Sequence, residues 1–329
     1  MNKNKFLIIG SNSFSGSSFV NFLLDKNYLV VGISRSKEKK YLNCYNKNKN
    51  IKNYKFYNLD INYDLDKIIS VIKKFKPSHI INYSAQGMVN ESWNNPDHWY
   101  ETNIVSMTKL VQKISKLNFI KIFLNFSTPE VYGSIKKIMK ENTNFNPTTP
   151  YAISRAAFDT HLNNLYKFHN FPVIITRTAN VYGPYQDIFR IIPKTIINIL
   201  KNKKIEIHGS GSTERSFIHI KDVNIALYKI LKKKNVGNNY HISTNEFVSI
   251  KTLCKLIKKK MNKANLKFKY TKDRIGKDFA YKLDSSKLRK KLKWKNDFNL
   301  IKGLEDTIEW YIKNFENLKK LKSEYVHKK

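Results

Sequence analysis

The sequence predicts an α/β protein built on a doubly wound parallel sheet, with a smaller second α/β domain. Short apolar runs alternate with segments of helical period through the first 180 residues. These runs are apolar on both faces, as strands covered by helices on two sides tend to be. Beyond about residue 184 the pattern changes to short strand candidates between amphipathic helices, which indicates the second domain.

The alternation defines the elements of the first domain in chain order. Strands are predicted at residues 6–9, 28–33, 56–59, 79–83, 120–126 and 173–176. Helices are predicted at residues 16–26, 65–75, 99–117 and 151–169. Such alternation requires right-handed crossovers, and ligands of these sheets bind beyond the carboxyl ends of the strands. Functional side chains are therefore expected in the loops that follow the strands.

The later part of the chain divides between the two domains. Residues 1–184 are predicted to form the first domain, to which a segment near 216–247 returns, and residues 185–329 mainly form the second. Elements predicted there are helices at 191–200, 248–261 and 300–315 and strands at 205–208 and 216–220. The charged stretch 319–329 is expected to fray.

Composition indicates a globular chain rather than a nucleic-acid-binding or membrane protein. Of 329 residues, 41% are hydrophobic, and no window approaches the roughly 20 apolar residues of a membrane helix. The formal charge of +36 comes mainly from lysine spread from end to end, whereas a nucleic-acid footprint gathers on one face. Cys44 and Cys254 suggest neither a disulfide framework nor a metal cluster. We expect a cytoplasmic protein with no nucleic-acid, membrane or metal partner, although the charge favours a polyanionic substrate.

The segment from Gly10 to Gly16 has the features of a dinucleotide-binding turn, because it follows an apolar strand and opens an amphipathic helix. Gly10 permits a tight turn, Gly16 permits close packing, and the helix N-terminus aims backbone N–H groups at a pyrophosphate. Ser13 takes the place of a third glycine, so its Cβ should push the phosphates outward while its hydroxyl can donate a compensating hydrogen bond. We expect Gly10, Ser13, Phe14 and Gly16 to contact the cofactor; an ordinary glycine–serine loop is the alternative.

Residues after the second and third strands bear on which dinucleotide binds. An acid about 20 residues beyond the turn would hold the ribose 2′-hydroxyl of NAD. This chain has Ser34 and Arg35 there, and an arginine flanked by hydroxyls suits a 2′-phosphate. NADP is therefore favoured over NAD, and a solvated surface role for Arg35 is the alternative. Asp60, with Ile61 beside it, is expected at the adenine edge.

Two segments supply candidate catalytic residues. Thr128 and Glu130 follow the fifth predicted strand, and Tyr151 and Arg155 open the next helix. Because Tyr151 and Arg155 share a helix face, the guanidinium should lower the pKa of the phenol towards the range of a general base. Thr128 can hydrogen-bond the same substrate oxygen, and Glu130 is a second base for a neighbouring carbon. Each residue alone could be structural; together, above a dinucleotide turn, they favour catalysis.

Further ordered motifs lie at residues 82–86, 103, 177–186, 215–222, 273–281 and 303–311. With the turn and the candidate catalytic residues, they resemble the landmarks of the extended short-chain dehydrogenase/reductase superfamily, within its sugar-nucleotide epimerases and dehydratases. The last two segments are most similar to dTDP-glucose 4,6-dehydratases. The resemblance implies a Rossmann-type sheet, a substrate-binding C-terminal domain, NAD(P) as cofactor and a homodimer. Residues that it assigns to the cofactor are Ser84, Ala85, Gln86, Asn103, Tyr151 and Arg155.

The resemblance also implies a reaction. Tyr151 would take the proton of the sugar 4-hydroxyl while a hydride passes from C4 to the nicotinamide. Glu130 would then remove the acidified C5 proton, water would leave from C6, and the hydride would return to C6. The nucleotide-diphosphate sugar would be held by Asn180, Arg190, Arg215 and Arg274, since arginine forks match diphosphate oxygens. A surface salt-bridge role is the alternative for the arginines.

Three departures from the family pattern bear on activity. Arg155 stands where the family has a lysine, and Ala280 stands where an arginine is common. Pro129 stands where dTDP-glucose dehydratases have an acid, although GDP-mannose dehydratases also lack an acid there. A 4-epimerase needs no base at C5, so Glu130 favours the dehydratase. The epimerase and a non-catalytic sensor of nucleotide sugars or dinucleotides are the alternatives.

Overall fold

The computed structural model describes residues 4–134, 137–272 and 282–328. Its strands are β1 (Lys5–Ile9), β2 (Leu29–Ser34), β3 (Tyr54–Asn58), β4 (His79–Asn82), β5 (Ile122–Ser127), β6 (Ile138–Met139), β7 (Val173–Thr178), β8 (Asn180–Tyr182), β9 (Ile205–His208), β10 (Glu214–Arg215), β11 (Phe217–His219), β12 (Asn239–Ile242), β13 (Val248–Ser249), β14 (Phe268–Thr271) and β15 (Lys282–Leu283). Its α-helices are α1 (Phe14–Asp25), α2 (Leu65–Phe75), α3 (Pro96–Tyr100), α4 (Met107–Ile114), α5 (Pro150–His169), α6 (Ile191–Leu200), α7 (Ile220–Lys233), α8 (Ile250–Lys260), α9 (Ser286–Leu292), α10 (Leu300–Lys313) and α11 (Phe315–Leu318).

Seven strands form one sheet in the order β3-β2-β1-β4-β5-β7-β12. Every neighbouring pair in it is parallel. The order reverses between β1 and β4, and a crevice for ligands opens beyond the carboxyl ends of strands at such a point. This topology confirms the predicted doubly wound α/β fold.

Apolar side chains cover both faces of this sheet. On one face, α1 and α7 pack through residues that include Phe19 and Leu227. On the other, α2, α4 and α5 pack through residues that include Ile72, Leu110 and Leu162. Because both faces are covered, the strands need apolar side chains in both directions, which explains the uninterrupted apolar runs in the sequence.

A smaller α/β region follows the main sheet. Strands β9 and β14 pair in parallel there, and α6, α8 and α10 pack around a separate apolar core. Ile196, Ile257 and Leu304 contribute to this core from the three helices. In the described ranges, no helix is long and apolar enough to cross a membrane.

Most predicted elements are confirmed to within two residues at each end. The helix predicted at 99–117 differs, because it begins at Pro96, ends at Ile114 and contains a π-helical turn at Glu101–Ser106. Proline fits the first helical position, where its missing N–H has no helical partner in any case. Sequence analysis also missed α7 and β12, which add a helix and the seventh strand to the main sheet.

Candidate active site

A cavity of about 220 Å³ lies beyond the carboxyl ends of β1, β2, β3 and β4. The loops that follow these four strands line it. Nine of its lining residues are ones that the sequence predicts to bind a cofactor: Gly10, Ser13, Ser34, Arg35, Asp60, Ile61, Ser84, Ala85 and Gln86. Segments distant in the chain therefore meet where the strand order reverses.

Gly10 and Gly16 bring the backbone of the first turn close to its neighbours. Gly10 has a φ of +80°, and its amide donates to the carbonyl of Ile33 at 2.7 Å. A Cβ added to Gly10 would lie 2.7 Å from the backbone nitrogen of Ser84, and one added to Gly16 would collide with the carbonyl oxygen of Gly10. Both positions therefore require glycine.

Ser13 does not need to be glycine, because its φ of −69° is available to any residue. Its hydroxyl donates to the carbonyl of Gly10 at 2.7 Å and accepts from the amide of Gly16 at 3.1 Å, which caps α1. The Ser13 hydroxyl was expected to donate to a phosphate, but its proton is donated within the turn instead. Phe14 packs its side chain against the apolar core, so its predicted part in cofactor binding falls to its backbone.

The loop after β2 carries Ser34 and Arg35. The hydroxyl of Ser34 accepts from the amide of Asn12 at 2.9 Å. Arg35 donates through Nη2 to Oε1 of Gln86 at 3.3 Å and through Nη1 to the carbonyl oxygen of Lys328 at 3.2 Å. Arg35 therefore lies at the rim of the cavity, where it links the loops after β2 and β4 to the carboxyl-terminal stretch.

The fraying expected for 319–329 is wrong for the described end of that stretch. Nε2 of Gln86 donates to the carbonyl oxygen of Lys328 at 2.6 Å. The ring of His327 stacks on Trp99 with centroids 5.0 Å apart. The lysine-rich composition suggested solvated chain, but aromatic stacking supplies contact area that counting charges does not reveal.

Asn103 shapes the loop after β4. Its Oδ1 accepts from the amide of Gln86 at 2.8 Å, and its Nδ2 donates to the carbonyl of Gln86 at 3.1 Å and to Oγ of Ser154 at 2.9 Å. The residue is buried within the π-helical turn. Because protein groups use its amide, Asn103 acts on the cavity through Gln86, and direct contact with a cofactor stays a prediction.

The turn after β5 carries Thr128 and Glu130 on a short 3-10 helix, Pro129–Tyr132. Thr128 caps this helix, because its Oγ1 accepts from the amide of Glu130 at 3.3 Å. Pro129 occupies the first helical position, which suits a residue without an N–H. The turn lies against α5, and Glu130 interacts electrostatically with the phenol of Tyr151.

Tyr151 lies in the first turn of α5, where Thr149 caps the helix. Protein packed around the phenol raises the pKa of Tyr151; Arg155 and a hydrogen bond from Thr128 lower it, and Glu130 raises it. The expected net lowering of this pKa is therefore wrong for the protein alone. Arg155 acts in the expected direction, but burial outweighs it.

Arg155 is buried and keeps two donors unused. Its Nη2 donates to the carbonyl of Phe126 at 2.6 Å. Its Nε and Nη1 have no hydrogen-bond partner among the described residues. Buried donors of this kind cost free energy unless a ligand accepts from them. The ribose hydroxyls of a nicotinamide dinucleotide are suitable acceptors, so the residues present fit such a cofactor.

Three of the four predicted substrate-binding residues lie in the described ranges. Asn180 begins β8 and Arg215 ends β10, and the amide of Asn180 donates to the carbonyl of Ser216 at 3.1 Å. Arg190 precedes α6 and lowers the pKa of Tyr151. Arg274 lies outside the described residues.

Sequence similarity over most of the chain shows which family the protein belongs to. The sequence profile of GDP-mannose 4,6 dehydratase matches residues 7–307. The chain belongs to the NAD-dependent epimerase/dehydratase family of extended short-chain dehydrogenases/reductases. Its sheet order and the smaller α/β region are those expected for this family, and the predicted resemblance is confirmed.

Relatives in this family include dehydratases and epimerases. Human dTDP-D-glucose 4,6-dehydratase is 32% identical and matches 96% of this chain and 92% of its own length. A crystal structure of dTDP-glucose 4,6-dehydratase from Bacillus anthracis in complex with NAD is 29% identical, with a TM-score of 0.88 over 97% of this chain and 100% of its own. UDP-glucose 4-epimerase from Thermotoga maritima, solved with UDP-glucose, is 25% identical, with a TM-score of 0.86 over 94% and 99%.

Sequence analysis missed some residues that line the cavity of this family member. Lys39 is one, and its Nζ lies 2.6 Å from the carboxylate of Asp187, which joins the loop after β2 to the loop before α6. Nothing in the lysine-rich stretch 37–40 marks this lysine as different from its neighbours. Tyr83 and Thr102 also line the cavity. The strand-end position of Tyr83 was a signal that could have identified it.

Proposed function

We propose that the protein is an NAD(P)-dependent nucleotide-sugar 4,6-dehydratase, which forms a 4-keto-6-deoxy sugar nucleotide. The observation that carries this proposal is a pair of proton-transfer groups at one sheet edge, Tyr151 and Glu130, within electrostatic reach of each other. Oxidation of an alcohol at C4 needs one base, and removal of a proton from C5 needs a second. The similarity to dTDP-glucose 4,6-dehydratases supports the same reaction.

Tyr151 takes the proton of the sugar 4-hydroxyl, with Thr128 hydrogen-bonded to the phenol. Because burial raises the pKa of Tyr151, the phenolate needs positive charge beside it, and Arg155 supplies one such charge. The Nε and Nη1 groups of Arg155 would donate to the ribose hydroxyls of the cofactor. A bound nicotinamide dinucleotide in its oxidised form would supply a second positive charge and a reversible acceptor for the C4 hydride, which would return to C6 as a proton from water adds at C5.

Glu130 removes the C5 proton, which the neighbouring ketone acidifies. Departure of the C6 hydroxyl with a proton completes the elimination of water. Pro129 cannot donate a proton. Glu130 therefore keeps the proton that it takes from C5 and gives it to the C6 hydroxyl as that group leaves. This use of one carboxyl as base and then acid follows the general-acid–base logic of a positioned side chain.

The nucleotide-sugar substrate is held by Asn180, Arg190 and Arg215. Guanidinium groups donate paired hydrogen bonds to phosphate oxygens. Arg190 is close enough to lower the pKa of Tyr151, so a diphosphate bound there lies next to the reacting sugar. The formal charge of +36 favours encounter with a polyanion.

NAD(P) is assigned to residues 1–184 with the returning segment near 216–247, and the sugar nucleotide mainly to residues 185–329. The relative from Bacillus anthracis was solved with NAD. The preference for NADP inferred from Arg35 stays a prediction, since Arg35 also bonds to Gln86 and to the carbonyl of Lys328. Dissociation constants for NAD and NADP, measured on the same preparation, test it.

A nucleotide-sugar 4-epimerase is the second candidate, favoured by the similarity to UDP-glucose 4-epimerase. Incubation with a panel of nucleotide sugars separates the candidates. A 4-keto-6-deoxy product, recognised by its absorbance in strong base, supports the dehydratase. An isomeric sugar supports the epimerase, and bound cofactor without turnover supports a non-catalytic sensor.

We also propose a homodimer that forms through α3 to α5. Val105 lies in the π-helical turn between α3 and α4, and Ile153 lies on α5; 36% and 42% of their surfaces are exposed. An apolar patch shared by these helices would be covered in such a dimer. Sedimentation at several protein concentrations checks this, and a monomer at every concentration would exclude it.

A further inference from the structure

The turn that carries Glu130 is anchored at both ends by buried polar side chains. Ser127 precedes the turn and Tyr132 closes it. Both anchors lead to the ion pair between Asp159 and Arg177, whose side chains are 0% and 1% exposed. Asp159 lies on α5, the helix that also carries Tyr151. The ion pair thus connects the two candidate bases.

Asp159 uses both carboxylate oxygens. Oδ2 accepts from Oγ of Ser127 at 2.8 Å and from Nε and Nη2 of Arg177 at 3.1 and 2.8 Å. Oδ1 accepts from Nδ2 of Asn125 at 3.0 Å. Four bonds to one buried carboxylate hold the end of β5 at a fixed distance from α5, because losing any of them leaves a buried polar group unpaired.

The hydrogen bonds of the second anchor, Tyr132, can run in one direction only. Nη1 of Arg177 lies 2.9 Å from the hydroxyl oxygen of Tyr132 and can only donate to it. The hydroxyl proton must therefore point to Nε2 of His241, which lies 2.7 Å away. His241 accepts only if it is neutral at Nε2, so its Nδ1 carries the proton and donates to the carbonyl of Asp284 at 3.2 Å.

The protonation states of His241 and Tyr132 are consistent with this direction. Burial and the charge of Arg177 lower the pKa of His241 to about 3, so the ring is neutral near pH 7. Burial raises the pKa of Tyr132 to about 12, so the phenol keeps its proton. Every donor in the chain from Arg177 to Asp284 thus has one acceptor, and such directional chains strengthen cooperatively.

We propose that Tyr132 and the Asp159–Arg177 pair are positioning residues for the elimination step, holding Glu130 at a set place relative to Tyr151. This inference rests on the proposed 4,6-dehydratase function. Tyr151 stays on α5 when the anchor at Tyr132 is cut, whereas the turn with Glu130 loses its hydrogen bonds to Arg177 and His241. Oxidation at C4 should therefore survive better than removal of the C5 proton.

Tyr132→Phe tests the proposal, since it keeps the ring and removes the hydroxyl. We expect the kcat of dehydration to fall about tenfold or more, because small displacements of a reacting group carry such costs. The KM and the dissociation constant for NAD should stay within about threefold of the unchanged protein. Bound cofactor should accumulate in its reduced form during turnover, since C4 oxidation outpaces elimination.

Tyr240→Phe is the matched control. Tyr240 is also buried, and its hydroxyl accepts a long, 3.4 Å bond from Asn235. We expect Tyr132→Phe to be the less stable of the two, because it leaves Nη1 of Arg177 and Nε2 of His241 without their hydroxyl partner. We expect no accumulation of reduced cofactor in the control. Ser127→Ala removes the other anchor and should also slow elimination more than oxidation at C4. It replaces Tyr132→Phe if that variant does not fold.

Normal kinetics in both Tyr132→Phe and Ser127→Ala would overturn the proposal. Equal slowing of oxidation and elimination would overturn it as well, since that is the result of a purely structural role. Glu130→Gln separates this failure from that of the proposed function. If Glu130→Gln keeps full turnover, the dehydratase mechanism fails; if it loses turnover while the anchor variants are normal, only the positioning role fails.

Discussion

The two turns of the candidate active site are held in place by different means. The turn from Gly10 to Gly16 is set by its own backbone, through a positive φ, close contacts and the cap from Ser13. The 3-10 turn Pro129–Tyr132 is held by side chains that arrive from α5, β7 and β12. Backbone geometry sets the first turn, whereas the second also depends on side chains from distant parts of the chain.

This difference predicts different responses to change. The first turn contains glycine, serine, asparagine and phenylalanine, so no group in it titrates near neutral pH. The second is joined to Asp159, Arg177 and His241, all buried. We therefore expect steric changes to disturb the turn from Gly10 to Gly16, and changes of charge to disturb the turn Pro129–Tyr132.

The largest effect is expected from Gly16→Ala. Its Cβ would meet the carbonyl oxygen of Gly10 and lie 2.9 Å from Oγ of Ser13, so the start of α1 must move. Overpacking of this kind costs about 1–3 kcal/mol of unfolding free energy. Affinity for NAD, measured by calorimetry, should fall at least tenfold, because the backbone amides at the start of the helix would no longer point towards the pyrophosphate.

Gly87→Ala is the control for this variant. A Cβ at Gly87 meets nothing within 4 Å. The substitution should leave NAD affinity unchanged and stability equal or slightly higher. Equal losses of affinity in the two variants would mean that the close contacts of the first turn do not govern binding.

A smaller effect on stability is expected when the pH is lowered, through His241, which holds the turn Pro129–Tyr132. The pKa of His241 is about 3 in the folded protein and about 6.5 when unfolded, so the unfolded chain binds more protons between these values. The contribution of neutral His241 is complete above pH 6.5 and is lost as the pH falls towards 3. The loss amounts to about 2 kcal/mol by pH 5.

His241→Gln isolates this contribution. Glutamine can accept from Tyr132 and donate to the carbonyl of Asp284 without titrating. Chemical unfolding at a series of pH values should show that stability falls less steeply below pH 6.5 in the variant. Identical slopes would show that His241 does not control the acid sensitivity of this end.

The smallest effect is expected from Arg155→Lys. Lysine keeps the positive charge beside Tyr151 and can still donate to the carbonyl of Phe126 and to ribose. Turnover by the dehydration assay should not fall. A large loss would show that the site has been rebuilt around the guanidinium, whose planar fork lysine cannot reproduce.

The same contrast explains what the sequence could predict. Strand–helix alternation and the glycine turn are local patterns, so the fold, Gly10 and Gly16 were accessible from the sequence. The partners of Asp159 lie 18 to 34 residues away, and no local pattern shows that Tyr132 meets His241. The pKa of Tyr151 was mistaken for a similar reason, since the charge of Arg155 is visible in the sequence and the burial of the phenol is not.

The central claim is that this site moves hydrogen from C4 to C6 and eliminates water between C5 and C6. The most direct test follows deuterium placed at C4 of the nucleotide sugar that the panel shows to be consumed. We predict that the label appears in the C6 methyl group of a 4-keto product, and that Glu130→Gln binds cofactor but forms no such product. Deuterium that stays at C4 of an inverted sugar, or full turnover by Glu130→Gln, would contradict the account.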